Sequence, residues 1–508
     1  MRGHFHVSPV LPNCDLTAAF AAAEGAPCLV VWLTDRPGFA LYHPGAIFAP
    51  NTKYNFTLDS GVSATDGTVN SLDHHWDLTS ARAPTVVSET PTDGASEVAI
   101  DAPLVVQFDR AMSSAATAGA ITLSPQGGAL TVVRNTVDDR RFVAFPGTLL
   151  RAHTAYALMI GGAARDQGGQ PLGGATVIHF VTGGLSGARH TAVMVSHGGA
   201  PTAVVLTALA PAQAGEPVAT ATVLDVGSGP GGIAGVGLAS AALGPGGLLA
   251  VVETGADGSS LLRVLDIAND EDIADVSGAT LPAWSSRGDL AYSSGGQVVV
   301  RQLSGDLVTL PSGDPLVDAP IWSSDGRHLV LPVAAAGQPP HIDLASPQLR
   351  ARYALPQVTG TASNPAISAD GALLVLRRDG PTVAAIDGTW LVGLGGRPAQ
   401  PVLLDSAATP LGFSNATTII LARRPVDGSA SLARIGTDGS PATVLPGGPA
   451  ASDLASSVVS SDGRQISYLA AAESGGTQVW IENSDGSGVL ALTSLGSGDS
   501  AVSISFSP

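Results

Sequence analysis

Lysine is almost missing from this chain. Its 508 residues include 24 Lys+Arg, and Lys53 is the single lysine. Schiff-base or lysine-base chemistry would have to use that residue, whose strand-like setting offers no activating neighbour. Cysteine is scarce too. Cys14 and Cys28 are too few for a disulfide scaffold, and they form either one bridge or two reduced core positions. Charge is thin and one-sided: 13% of residues are charged, and 42 Asp+Glu against 24 Lys+Arg leave a net −18. Without a basic surplus the chain is no reader of nucleic-acid phosphates. With 44% hydrophobic residues it is no charge-rich disordered chain, and its breakers exclude a long coiled coil. No apolar leader follows Met1, because His4, His6 and Pro9 fall where its core would be. Two apolar stretches, 16–33 and 226–252, are interrupted by Glu24-Gly25 with Pro27 and by Gly244-Pro245-Gly246-Gly247. A bilayer helix needs about 20 mostly apolar residues in sequence, so both are read as β structure. The G-x-S-x-G elbow of a serine hydrolase does not occur.

What the chain has in plenty is glycine (62) and proline (36), the mark of many short strands joined by tight turns. The turns repeat. Trp322-Ser323-Ser324-Asp325-Gly326 leads into the apolar run Leu329-Val330-Leu331. Ile367-Ser368-Ala369-Asp370-Gly371 leads into Leu373 to Leu376, and Val459-Ser460-Ser461-Asp462-Gly463 into Ile466-Ser467-Tyr468. Looser copies start at Leu243, Trp284 and Phe413, and Phe506 opens the same pattern again. The anchors 243, 284, 322, 367, 413, 459 and 506 are 41, 38, 45, 46, 46 and 47 residues apart. A unit of about 40–50 residues with four short strands is the signature of a β-propeller blade. Asp-Gly between two apolar runs supplies the positive φ that such a turn requires.

Counting strands adds a seventh blade. Residues 190–226 hold three strands without an anchor, and Ala501 to Phe506 is one strand without partners. Three and one make a blade, and a ring closed in this way leaves no free sheet edge. The phased turns resemble the TolB-like, or WD40-like, propeller repeat over roughly residues 185–508. Where that repeat usually carries Pro before Asp-Gly, the clear copies here carry Ser or Ala. The resemblance implies an interaction platform of the periplasm or cell exterior.

A second repeat lies at the N-terminus. His6-Val7-Ser8-Pro9 matches Thr122-Leu123-Ser124-Pro125, Asn51-Thr52-Lys53-Tyr54 matches His153-Thr154-Ala155-Tyr156, and Trp76-Asp77-Leu78-Thr79 matches Phe180-Val181-Thr182. Alternating runs of five to eight residues between turns predict a β-sandwich of about 100 residues. Pro84-Thr85-Val86-Val87-Ser88, Leu104 to Asp109, Thr154-Ala155-Tyr156 and Arg165-Asp166 resemble a bacterial Ig-like domain of the surface-layer type. The first copy lacks the stretch equivalent to 84–119, so Met1 is expected not to be the natural start. The fold class is therefore all-β. An incomplete Ig-like sandwich (1–83), a complete one (84–183) and a seven-bladed propeller (184–508) follow one another, with the C-terminal strand closing the first blade.

No catalytic, cofactor-binding or metal-ligating residue is assigned. Val223 to Gly232 fits G-x-G-x-x-G after a strand, and Glu253 could be its acidic partner. However, no strand–helix alternation follows, so it is read as a strand ending in an inter-blade loop. Asp270-Glu271-Asp272 with Asp266 and Asp275 lacks the spacing of a calcium loop. His74 and His75 are adjacent and face opposite ways on a strand. The Asp-Gly turns at 325, 370 and 462 are read as turn geometry. The expected function is non-catalytic binding of a protein, peptide or glycan ligand at the propeller face, with the sandwiches as spacer. The rivals are a hydrolase or lyase site in the channel and a fragment of a large adhesin. Arg301, Arg377, Asp379, Arg423 and Glu473 decide the enzyme reading: they must converge.

Overall fold

The architecture comes from a computed structural model. It describes residues 3–12, 14, 29–32, 39–42, 48–64, 66–126, 128–226, 236–355, 361–380, 387–394, 400–423, 430–446, 451–471 and 476–507.

The complete sandwich packs two four-stranded sheets. One is ordered Leu130–Arg134, Arg141–Pro146, Leu104–Phe108, Val86–Thr90, and the other Ala95–Val98, Thr176–Thr182, Ala155–Ile160, Ile121–Ser124. Alternation decides which side chains meet. Leu104, Val106 and Phe108 point inward from the first sheet and bury Leu158, Ile160, Ile178 and Phe180 of the second.

The first unit repeats half of this plan. Phe5–Ser8, Lys53–Leu58 and His74–Thr79 form a sheet in that order, and Leu29–Trp32 pairs with Phe39–Tyr42. The corner is the same in both units. The Tyr54 hydroxyl accepts from the Ala49 amide at 2.8 Å, and that of Tyr156 from the Arg151 amide at 3.0 Å. The Thr52 amide donates to the Ser80 hydroxyl, as that of Thr154 does to Thr182. Among the described residues the first unit has no counterpart of Val86–Thr90, Ala95–Val98 or Leu104–Phe108. Strand pairing sets Leu78 opposite Tyr54 as Phe180 is opposite Tyr156, so Leu78, and not Trp76, corresponds to Phe180. Trp76 and Leu78 stay 46% and 40% exposed, where Ile178 and Phe180 are 1% and 2% exposed. Cys14 is buried and disulfide-bonded, which selects the bridge over two reduced thiols; Cys28, the only other cysteine, lies outside the described residues.

The rest of the described chain forms seven four-stranded antiparallel sheets. Blades 2 to 7 take their strands in chain order and begin with the innermost strands Gly237–Leu243, Ala279–Trp284, Ile321–Trp322, Thr361–Ile367, Ala408–Asn415 and Ala451–Val459. Blade 1 is composite: Asp499–Phe506 is innermost, followed by His190–His197, Pro201–Ala208 and Thr220–Asp225. Each innermost strand touches the next, and the last touches Asp499–Phe506, so the ring is closed. Seven apolar clusters fill the seven gaps between neighbouring blades. Blade strands are thus buried on both faces, which is why Leu329–Val333 reads as a continuous apolar run.

The repeated turn works through its serine. Ser323, Ser368 and Ser460 are all buried, and each hydroxyl donates to the Asp two residues on, at 2.6, 2.6 and 2.7 Å. The same oxygens accept the amides of His328, Leu373 and Gln465 across the turn. Gly326, Gly371 and Gly463 follow at φ of 65°, 69° and 71°. The hydroxyls of Ser323 and Ser368 hold Asp325 and Asp370 below the usual carboxylate range. The aromatic anchor fastens one blade to the previous one: Trp284 Nε1 donates to the Ala242 carbonyl at 3.1 Å, and Trp322 Nε1 to that of Ala283 at 3.0 Å. Ser323→Ala is expected to lower unfolding stability by about 1 kcal/mol, since it removes the hydroxyl that bonds both Asp325 and the His328 amide. Denaturant titration of the variant checks this.

Candidate functional site

Innermost strands run from an upper face of the ring to the Asp-Gly turns on the lower one. Of the five residues that decide the enzyme reading, three meet at the upper face of blades 5 and 6. Arg377 and Asp379 lie near the end of Leu373–Asp379, and Arg423 ends Thr418–Arg423. The Arg377 guanidinium contacts Asp379 at 2.8 Å and donates to the Ala408 carbonyl at 3.1 Å. The Thr389 hydroxyl shares that carbonyl at 2.8 Å. Arg423 lies 3.5 Å from Asp405, whose side chain is nearly buried. Arg301 does not join them: it is opposite Leu290, beside the lower turn. Glu473 lies outside the described residues.

A neighbouring group in blade 4 escaped sequence reading. Arg352 is almost fully buried and donates to Asp343 at 2.7 Å and to the Asp314 carbonyl at 2.5 Å. His341 Nε2 sits between the Asp314 and Asp343 carboxylates, 3.4 and 3.6 Å away. The alternation His341-Ile342-Asp343, which places both polar side chains on one face of a strand, was the available signal.

The other sequence candidates have structural uses. Around the glycine-rich segment Val223 to Gly232, Asp225 ends an outer blade strand, Gly237–Leu243 is the innermost strand of blade 2, and Glu253 pairs with Arg263 at 3.0 Å. Residues 227–235 lie outside the described residues. Asp272 and Asp275 face the same Arg263 at 3.0 and 3.9 Å, and Asp266 accepts from the Ala268 amide in a turn. His75 contacts the Thr57 hydroxyl, His6 pairs with Asp59, and Lys53 with Asp77. Among the described residues no three His, Cys, Asp or Glu side chains are grouped to hold a metal ion.

A second feature lies where the complete sandwich meets blade 1. Arg141 forms a buried ion pair with Glu216, and the Asn135 amide donates to the Ala214 carbonyl at 3.0 Å. The Thr222 amide reaches the Gly147 carbonyl at 2.9 Å. Asp101 binds His190 at 2.8 Å and also the Ser186 hydroxyl. Burial alone would raise the Asp101 pKa, but the hydrogen bonds from His190 and Ser186 outweigh it and keep it below the ordinary range. Beside this contact a cleft of about 1140 Å³ opens between the sandwich, blade 1 and the outer edge of blade 7.

Residues 80–182 match the bacterial Ig-like domain family. No curated protein matches the chain. Among solved structures it is similar to TolB from Acinetobacter baumannii, at 17% identity and a TM-score of 0.37, over 49% of this chain and 63% of that one. It is similar to the β-propeller domain of the Trilobed protease from Pyrococcus furiosus, at 12% identity and a TM-score of 0.39, over 51% and 85%. It is also similar to an oligogalacturonate lyase in complex with manganese, at 11% identity and a TM-score of 0.42, over 61% and 89%. The chain thus carries an Ig-like domain followed by a seven-bladed propeller. Among the described residues no helix is long and apolar enough to cross a membrane.

Proposed function

We propose that this is a non-catalytic binding protein of the cell envelope or exterior. In this reading the upper face of the propeller receives a protein, peptide or glycan ligand, and the Ig-like units act as spacer. The observation that carries the reading is the pairing of charges at blades 4 to 6. Arg377 and Arg423 reach the surface and face the carboxylates of Asp379 and Asp405, while the buried Arg352–Asp343 pair braces blade 4 beside them. Opposed charges satisfied in this way give a surface orientation and specificity toward a partner. A hydrolase or lyase site in the same place would need one of these carboxylates released from its arginine to move a proton. Fold alone does not choose between the two readings.

The test is a crosslinking capture from envelope extract with the wild-type chain, an Arg377→Glu/Arg423→Glu variant and an Arg301→Glu control. The upper-face variant is expected to lose its partner by tenfold or more while the lower-face control retains it. Equal capture by all three removes the reading.

A further inference from the structure

We propose that the cleft between the complete sandwich and blades 1 and 7 binds an extended peptide bearing cationic side chains, at a site separate from the upper face. Three observations converge there.

The first is shape. One wall is the outer face of the sandwich sheet, with Thr131, Val133 and Phe145; these alternate with Val132 and Ala144, which point into the sandwich core. Val205, Val218, Leu490 and Leu495 line the opposite side. A volume of about 1140 Å³ exceeds the range of small-ligand pockets and admits several residues of chain.

The second is backbone. Thr220–Asp225 is the outermost strand of blade 1 and pairs along one side only, with Pro201–Ala208; on its other side Thr222 makes a single bridge to Thr148. Thr220, Ala221, Thr222 and Asp225 all line the cleft. A strand edge bordering an apolar-walled cleft is the arrangement used for strand addition, in which main-chain hydrogen bonds hold the guest and alternate side chains select it. This favours a peptide over a glycan.

The third is charge. Glu216, Asp225 and Asp499 are among the residues that line the cleft, and no lysine or arginine is. Glu216 is neutralised from behind by Arg141, and Asp499 binds His197 at 2.8 Å. Asp225 and Asp499 therefore give the cleft an acidic lining that complements Arg or Lys on the guest.

The probe is a fluorescent octapeptide of alternating valine and arginine, with a valine–glutamate octapeptide as control, titrated against the full chain by fluorescence anisotropy. The arginine peptide is expected to bind at least tenfold more tightly than the control, and less tightly at high salt. It should also slow amide exchange over residues 220–225. Val133→Arg, whose side chain points away from the sandwich core, should fill the cleft and reduce binding tenfold or more. Arg377→Glu/Arg423→Glu should leave it unchanged, which separates this site from the upper face. Equal binding of the two peptides, unaltered binding by Val133→Arg, or no binding of the arginine peptide overturns the proposal.

Discussion

Arg141→Ala is expected to uncouple the complete sandwich from the propeller. The Glu216 side chain is 1% exposed, and one of its oxygens already has no hydrogen-bond partner. Removing the guanidinium leaves a buried carboxylate without a counter-charge, a loss of roughly 3–5 kcal/mol. The unfolding transition should move to lower denaturant concentration and split, with the sandwich and propeller melting separately. Arg141→Ala/Glu216→Gln should regain most of the loss, because the charge in need of a partner is gone. Unchanged unfolding of the single variant would mean that the pair plays no part in docking.

The second large effect is a pH dependence set by Glu482. This residue is 2% exposed, on a blade 7 strand facing blade 6, near the unpartnered hydroxyl of Tyr468. Burial, with a smaller contribution from Asp485, pushes its pKa from 4.5 up to about 7. The folded state therefore holds its proton more tightly than the unfolded chain. Below pH 4.5 both states are protonated and nothing is lost; as pH rises toward 7 only the unfolded state ionises, and stability falls. Above that the full penalty is in place, about 3 kcal/mol. Glu482→Gln should match the wild type near pH 4.5 and exceed it by up to that amount at pH 8. Urea unfolding at the two pH values checks this, and a constant difference between them would refute it.

The propeller was legible because each blade carries its own punctuation. Serine, aspartate and glycine at fixed offsets build the turn locally, and the tryptophan anchor reaches only to the preceding blade. Even degenerate copies keep the logic. In blade 6 the Asn415 side chain accepts the Thr417 amide, taking the role of the aspartate. In blade 2 Gly244 lies where a Cβ would stand 2.8 Å from the Trp284 ring, so the next blade's anchor occupies the space. Composite blade 1 followed from counting, since three strands at one end and one at the other are complementary. The sites were less legible. Arg377 and Arg423 belong to different blades, and their meeting depends on how those blades abut around the Ala408 carbonyl. Arg141 and Glu216 belong to different domains, and no local spacing announces them. Glu482 sits in an alternating strand where its neighbours Val479 and Ile481 face the other way, so periodicity gave no hint of a buried carboxyl.

The seam of blade 1 has a mechanical side. His190–His197 and Asp499–Phe506 run antiparallel, with Thr191 opposite Phe506 and His197 opposite Asp499. The point where the chain enters from the sandwich thus lies beside the far end of the closing strand. Tension between these two points would peel the pair open one rung at a time, like a zip, instead of loading every hydrogen bond together in shear. A pull arriving through the sandwich is met first by its lateral grip on Glu216 and Thr222. That grip holds the outermost strand of the blade and the loop before it, on the side away from the seam. The docking of the Ig-like domain is in this sense a strain relief for the seam at which the ring closes.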